Sequence, residues 1–580
     1  MKGRFFGRRA KLVLSVIISL GLGLAALPQM TAAQGVEALE ERLQAAFGKA
    51  SRGDATWGAL VVSLDTQDTL FAIGPDAPLA PASNIKLLTT AAALHVLGPD
   101  YRFRTWVLAD GPVENGVLEG DLIIYGTGDP GISDRYYGRK DEVFQRLIDQ
   151  IELAGIRTIA GDIVADASFF PGPLRDSSWD PRDLNEHFTA AVSALSYNEN
   201  VVSFRIQSAS DGTPPIVETV PPHSALEVEI TAQMTSGRAR PRLAIFRDDP
   251  LEPVRIEGRM VVGSRDVWRQ MTVARPADFV GATFRAALEK REFTIYGTTR
   301  SVELLAQSAI GRISAPALGH PGPRVVASHT SRPLAEYLAV INKESNNLFA
   351  ELVFRAVGRA EEGVGTPEAS ARAVSRTLYE IGVDTTGLIQ HDGSGLSEGN
   401  RVSAGAFVQI IDGMSDGPLW PEYWASLPRA GTRRELRRMY GTAAADNLRA
   451  KTGTIEGVSA LSGMVRSADG ERLAFSLLVN GSRSQSRAKH VENQIGARLA
   501  EFRRSPGTVP DIAPEAAPPN GPATAFADRH RIARGENLSG IAIRYGVSVE
   551  ELLRLNPRVE ANRIVAGQWL DLPQRGGADR

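Results

Sequence analysis

Apolar residues recur along this chain at distinct spacings, and each spacing marks a different kind of segment. Over residues 38–50 they fall on one helical face, with Leu39, Leu43, Ala46 and Phe47 in register, which predicts an amphipathic helix. Residues 57–64 and 69–72 read as two strands around a short turn. The stretch Leu87-Leu88-Thr89-Thr90-Ala91-Ala92-Ala93-Leu94 predicts a buried helix ended by Gly98. From about 100 to 325 the pattern changes to short strands with turn signals, at 103–108, 118–125, 159–165, 201–206 and 226–232, with helices near 143–153 and 277–290. Helical spacing returns from Arg332, over 334–342 and 348–357, and a last helix covers 485–502. Between them Leu448 and the run Val458-Ser459-Ala460-Leu461-Ser462-Gly463-Met464-Val465 suggest an edge strand followed by a hairpin partner. The expected organisation is an α/β domain formed by residues 34–99 and 326–504, interrupted at 100–325 by an insertion holding two β-rich subdomains.

Beyond this, residues 505–527 carry six prolines with alanine and glycine and almost no apolar periodicity, the composition of a linker. Residues 528–574 then suggest strand, helix, helix, strand in under 50 residues. At the other end, residues 1–33 read as a secretion signal: Arg4, Arg8, Arg9 and Lys11, an apolar run over 12–27, and the small-residue site Thr31-Ala32-Ala33. That run of about 16 residues is shorter than the roughly 20 of a spanning helix, so export with cleavage is expected, with no stable transmembrane anchor and a periplasmic destination.

Length and composition narrow the chemistry. A chain of 580 residues with 43% hydrophobic content forms several cores. It has no cysteine, which excludes a disulfide framework and a thiolate metal site, and its eight histidines are scattered, so no metal or other cofactor is expected. Net charge is −2 with no basic cluster outside the N-terminus, which gives nucleic-acid binding no electrostatic support.

Candidate chemistry begins at Ser83-Asn84-Ile85-Lys86, in the first turn of the buried helix. Positions i and i+3 share a helical face, so Lys86 Nζ lies towards Ser83 Oγ, and an amine set against apolar neighbours loses proton affinity and can serve as a base. Only nine of the 65 basic residues are lysines, which makes Lys451-Thr452-Gly453-Thr454 on the predicted edge strand an unlikely accident. Ser345-Asn346-Asn347 lies in a polar turn between two helical patterns, where a serine and an asparagine can both face a cleft. A rival, Ser196-Tyr197-Asn198, runs straight into strand-like residues and reads as a structural turn.

Ser-x-x-Lys, Ser-x-Asn and Lys-Thr-Gly in this order resemble the active-site set of penicillin-binding proteins and serine β-lactamases. The separation of about 260 residues between the first two motifs, the phrase His391-Asp392-Gly393-Ser394-Gly395-Leu396-Ser397 and the stretch Gly161-Asp162-Ile163-Val164-Ala165-Asp166 are similar to the class C low-molecular-mass penicillin-binding proteins, which are D-alanyl-D-alanine carboxypeptidases and endopeptidases. The resemblance implies the α/β penicillin-binding-protein/β-lactamase-like fold, Ser83 as nucleophile, Lys86 as base, Ser345 as proton relay, Asn347 and Lys451 as further catalytic groups, and Thr452, Gly453 and Thr454 as substrate-binding. It implies an oxyanion hole from the backbone N–H groups of Ser83 and Thr454, peptidoglycan stem peptides as substrate, and β-lactams as covalent inhibitors. Where the family usually places an arginine for the stem peptide's diamino acid this chain has Glu398, with Arg401 three residues on, and Asp180 is a further candidate for that contact. Residues 528–574 resemble a LysM module, a βααβ domain that binds N-acetylglucosamine, whose sugar groove would be formed by Gly535, Glu536, Asn537, Leu538, Asn556 and Pro557. The alternatives are a β-lactamase or esterase of the same fold, or a peptidoglycan-binding protein with minor catalysis. A class A β-lactamase needs a deacylating glutamate, and no Glu-x-x-Leu-Asn occurs between Ser345 and Lys451.

Overall fold

The computed structural model describes residues 32–50, 55–222, 226–237, 242–311, 322–432 and 435–504, and in the C-terminal module residues 529–532, 538, 541, 549–556, 559 and 569–572. The expected signal segment and linker lie outside the described residues.

A five-stranded antiparallel sheet carries the structure around the three motifs, in the order Arg449–Ile455, Val458–Arg466, Arg472–Asn480, Thr56–Ser63, Thr69–Ile73. Residues 458–465 and 473–479 are buried throughout, the pattern of strands covered on both faces. On one face pack the helices Ala32–Ala50 and Gln485–Glu501, where Leu39, Leu43 and Phe47 meet Val491, Ile495 and Leu499 over Val61, Phe71, Leu461 and Phe475. On the other lies Ala404–Ser415, through Val408 and Ile411 against Met464 and Ala474. Beyond it the helix Ile85–Val96 is buried along its whole length apart from His95, walled by the helices Leu334–Lys343, Asn347–Glu362, Pro367–Glu380 and Trp420–Ser426. Each of its fully buried leucines contributes roughly 2 kcal/mol of hydrophobic stabilisation, so the helix that carries Lys86 has almost no freedom to move.

The insertion forms two parts, one nested in the other. A mixed sheet runs Thr299–Val302, Ile163–Asp166, Asp121–Gly126, Arg104–Asp110, Arg324–Thr330, with helices Glu142–Leu153 and Pro276–Lys290 as crossovers between its parallel strands. Within it, residues 201–272 build a three-stranded sheet around Val201–Gln207 and a four-stranded one around Val254–Val261. Two expectations need correction. The strands expected at 118–125 and 159–165 are each broken in two, into Val117–Leu118 and Asp121–Gly126, and into Thr158–Ile159 and Ile163–Asp166, the halves belonging to different sheets. The cause is close backbone crossing at glycines: a Cβ on Gly120 would lie 2.0 Å from Asp110 O, and one on Gly161 2.4 Å from Asp121 Oδ1. The boundary expected at 325/326 falls inside the strand Arg324–Thr330, which pairs with Arg104–Asp110.

In the C-terminal module Arg529–Arg531 pairs antiparallel with Trp569–Asp571, and the helix Val549–Leu555 packs Leu552 into a small core with Ile532, Leu538, Ile541, Leu570 and Leu572. Leu538, expected in the sugar groove, is one of these core residues, and Asn556 turns its amide back onto Leu552 O as a helix-end contact. Gly535, Glu536, Asn537 and Pro557 lie outside the described residues.

Candidate active site

Ser83 sits in a 3₁₀ turn, Ala82–Asn84, that runs directly into the Ile85–Val96 helix, and the tighter turn brings positions i and i+3 almost into line. Ala82 takes a left-handed φ of +46°, and the turn is fastened to the sheet by Asn84 Nδ2, which donates to Ser462 Oγ at 2.8 Å. Two glycines permit this packing. A Cβ on Gly395 would lie 2.1 Å from Ala82 O, and one on Gly453 would lie 2.5 Å from Pro81 O. Gly453 therefore lets the edge strand approach the Ser83 turn and does not line the cleft, which changes the substrate-binding role expected of it.

Lys86 Nζ lies 3.0 Å from Ser83 Oγ, 2.7 Å from Asn347 Oδ1, and donates to the carbonyl oxygen of Ser394. Burial lowers its pKa to about 7, against a smaller opposing pull from Asp392 and Glu351. A neutral amine has two N–H groups and one lone pair. Asn347 Oδ1 and Ser394 O, which can only accept, take both N–H groups, so the lone pair is left facing the Ser83 hydroxyl. Glu351, also buried, is itself pushed up to about 8 by desolvation and then by Asp392, which weakens its hold on a protonated lysine.

The second motif lies between helices. Leu334–Lys343 ends at Glu344, Ser345 adopts φ +58°, and Asn346 caps the next helix by accepting from Phe349 N, which leaves Asn347 in the first turn, facing Lys86. Lys451 Nζ, fully buried, donates to Ser345 Oγ at 3.0 Å and Thr452 O at 2.9 Å. Desolvation, then the charge on Lys86, holds Lys451 well below the usual lysine range. The five catalytic residues expected from the sequence are thus brought together as two pairs, Ser83 with Lys86 and Ser345 with Lys451, and Asn347, two residues beyond Ser345, accepts from Lys86.

The cleft in front of them, about 540 Å³, is lined by Ser83, Ser345, Asn347, Leu396, Glu398 and Thr454 together with residues of the insertion, among them Trp179, Asp180, Arg182 and Phe188. Glu398, Asp180 and Thr454 are therefore where the sequence placed them, and Thr452 does not line the cleft. Arg401 turns its guanidinium onto the carbonyls of Glu398 and Asn400 and also does not line it. The guanidinium in the cleft is that of Arg182, paired with Asp180 and with Glu456 at 3.0 Å.

Three contributions were missed in the sequence. Phe188 O accepts from Asn347 Nδ2 at 2.8 Å, so the insertion touches this asparagine directly. Glu199 Oε2 accepts from Asn346 Nδ2 at 2.8 Å and props the Ser345 turn. Asp392 accepts four hydrogen bonds, from Trp179 Nε1, Gly395 N, Ser397 N and Asn400 Nδ2, all between 2.7 and 2.9 Å, and so shapes the loop that presents Ser394 O to Lys86. Its signal was the Asp-Gly-Ser-Gly phrase. Asp392→Ala leaves three buried donors without a partner, while Asn400 Nδ2 keeps Ser397 O at 3.1 Å, and a loss of roughly 3–5 kcal/mol in urea unfolding is expected, with slower acylation. Ser196-Tyr197-Asn198 is, as read, a structural turn: Ser196 Oγ donates to Ser193 O and accepts from Asn200 Nδ2.

The arrangement matches a known family from end to end. Residues 39–502 match the model of the D-Ala-D-Ala carboxypeptidase 3 (S13) family. The chain belongs to that family. This carboxypeptidase is 33% identical to the D-alanyl-D-alanine carboxypeptidase of Actinomadura sp. (strain R39) over 516 residues, covering 86% of this chain and 92% of that one. It is 25% identical to the D-alanyl-D-alanine carboxypeptidase DacB of Haemophilus influenzae over 405 residues, 69% of this chain and 80% of that one. The crystal structure of penicillin binding protein 4 from Haemophilus influenzae shares the fold, with a TM-score of 0.66 at 22% identity over 79% of this chain and 98% of that one. Residues 530–573 match the LysM domain, so the carboxypeptidase carries that module at its C-terminal end.

Proposed function

We propose that this carboxypeptidase removes the terminal D-alanine of peptidoglycan stem peptides, and opens cross-links between them, through an acyl-enzyme on Ser83. The observation that carries the reading is the pair of acceptors on Lys86, which aims its lone pair at Ser83. Ser83 Oγ attacks the carbonyl between two D-alanines while its proton passes to Lys86 Nζ. The N–H groups of Ser83 and Thr454 take the charge that develops on the carbonyl oxygen. Ser345, held by Lys451, relays that proton from Lys86 to the departing amine and regains its own hydroxyl proton as it does so, the C–N bond breaks, and water later cleaves the ester. In the free site burial disfavours charge on Lys451. A terminal carboxylate arriving beside Thr454 would draw the proton back onto it, so that positive charge is present when substrate is. The stem peptide's diamino acid would lie along Asp180, Arg182 and Glu398, with Arg182 taking the role first considered for Arg401.

Comparing turnover of a diacyl-D-Ala-D-Ala peptide with that of a simple ester and of nitrocefin tests the reading. Preference for the peptide is expected, and faster steady-state hydrolysis of nitrocefin would favour a β-lactamase.

No described helix is long and apolar enough to cross a membrane. The leader-like sequence of residues 1–33 supports export to the periplasm, where the LysM module would hold the enzyme on glycan rather than take part in chemistry. Truncation at Pro506 is expected to leave hydrolysis of a small soluble peptide unchanged and to reduce co-sedimentation with insoluble peptidoglycan at least several-fold. Equal sedimentation of both forms would remove the glycan-binding role.

A further inference from the structure

A second cavity, about 360 Å³, adjoins the cleft at the Ser345 turn. It shares Ser345, Asn347 and Phe188 with the cleft, and its other walls include Arg135, Lys140, His187, Asn198, Glu199 and Gln270, almost all from the insertion. Its lining is polar and carries both signs of charge. Arg135 pairs with Glu199 at 2.6 Å and with Glu344 at 2.7 Å, and Lys140 pairs with Asp134 at 2.8 Å and donates to Asn198 Oδ1 at 2.6 Å. Such a wall suits a chain of amides bearing carboxylate and ammonium groups and disfavours an apolar ligand.

The cavity is built, not incidental. Asn198, Glu199 and Asn200 are three consecutive non-glycine residues with φ between +49° and +55°. Hydrogen bonds hold this costly conformation in place, from Asn198 Nδ2 to Val201 O at 2.6 Å and from Asn200 Nδ2 to Ala191 O at 2.8 Å. The same turn props the Ser345 motif through Glu199 and Asn346. Its place relative to the chemistry follows from Ser345. A group that protonates the departing amine stands next to it, so whatever remains attached to that amine continues past Ser345, away from the acyl chain. When the leaving group is a lone D-alanine, its carboxylate ends at Thr454 and Lys451 and most of the cavity has no occupant.

Resting on the acyl-enzyme reading above, we propose that this cavity is the subsite for the leaving strand of a cross-link, a second stem peptide joined through the side-chain amine of its diamino acid. Ser83 Oγ forms the ester with the D-alanyl carbonyl, the amide C–N bond breaks, the freed nitrogen receives the Ser83 proton through Lys86 and Ser345, and the leaving strand departs through this cavity. Water then hydrolyses the ester. Orientation of the second strand lowers the barrier for cross-linked substrate alone.

The test compares wild type with Gln270→Trp, which fills the cavity from an exposed strand position, and with Lys140→Ala. Each is assayed on a monomeric pentapeptide, for release of D-alanine, and on a purified tetrapeptide–tetrapeptide dimer. The dimer's kcat/KM is expected to fall about tenfold or more in Gln270→Trp and several-fold in Lys140→Ala, while the pentapeptide value and the rate of penicillin acylation stay within about twofold. Unchanged dimer cleavage in both variants, parallel loss on both substrates in variants that melt normally, or a wild type that cleaves the pentapeptide and not the dimer would overturn the subsite. A wild type that cleaves neither substrate, or Ser83→Ala that cleaves both, would overturn the acyl-enzyme reading instead. Should Gln270→Trp fail to fold, Lys140→Ala still decides.

Discussion

Ser83→Ala is expected to abolish covalent labelling by penicillin and to lower kcat/KM for a D-Ala-D-Ala peptide by about 10⁴–10⁶-fold, the scale seen when a serine hydrolase loses its nucleophile. The protein is expected to remain folded. The only hydrogen bond of the Ser83 side chain recorded among the described residues is with Lys86, and Lys86 keeps Asn347 Oδ1 and Ser394 O when the hydroxyl is gone. A change in stability of no more than about 1 kcal/mol is therefore expected by thermal unfolding, which separates lost chemistry from lost structure. Stable labelling of the alanine variant would move the nucleophile elsewhere.

The second large effect concerns the proton on Lys86. As a base Lys86 acts only when neutral, and burial brings its pKa to about 7. Below that value each unit fall in pH leaves about a tenth as much neutral amine, so the acylation rate is expected to rise close to tenfold per unit up to about pH 7 and then level off. A binding role for a charged Lys86 would give the opposite slope. Lys86→Arg is expected to lose about 10²–10⁴-fold at neutral pH, because guanidinium stays protonated, and to show no recovery on raising the pH to 9. Stopped-flow acylation by a chromogenic β-lactam across pH 5 to 9 measures both. A flat profile in the wild type would remove Lys86 as base.

The fold was legible to the extent that local pattern decides it. Leu39, Leu43, Ala46 and Phe47 share one face because a helix has 3.6 residues per turn, and all four are buried against the sheet. The edge strand carrying Lys451 and its hairpin partner were likewise readable from apolar spacing. The strands at 118–125 and 159–165 were misjudged because apolar residues flank each break, whereas the break itself is imposed by close crossings of Gly120 with Asp110 and of Gly161 with Gly120.

For the site, the sequence by itself determined which groups are brought together. Ser83 and Lys86 meet through the local geometry of one turn, and Ser345 and Asn347 are placed by the junction of two helices. Only the tertiary structure decided what state those groups are in and what surrounds them. Lys86 is set up to act as the proposed base because Ser394 and Asn347, 308 and 261 residues away in the chain, accept from it where its own side chain is fully buried. The cleft owes Arg182 and Phe188, besides the expected Asp180, to the insertion. Arg182 and not Arg401 lines the cleft for the same reason: a guanidinium's partners depend on which carbonyls and carboxylates lie within a few ångströms, and spacing along the sequence does not encode that distance.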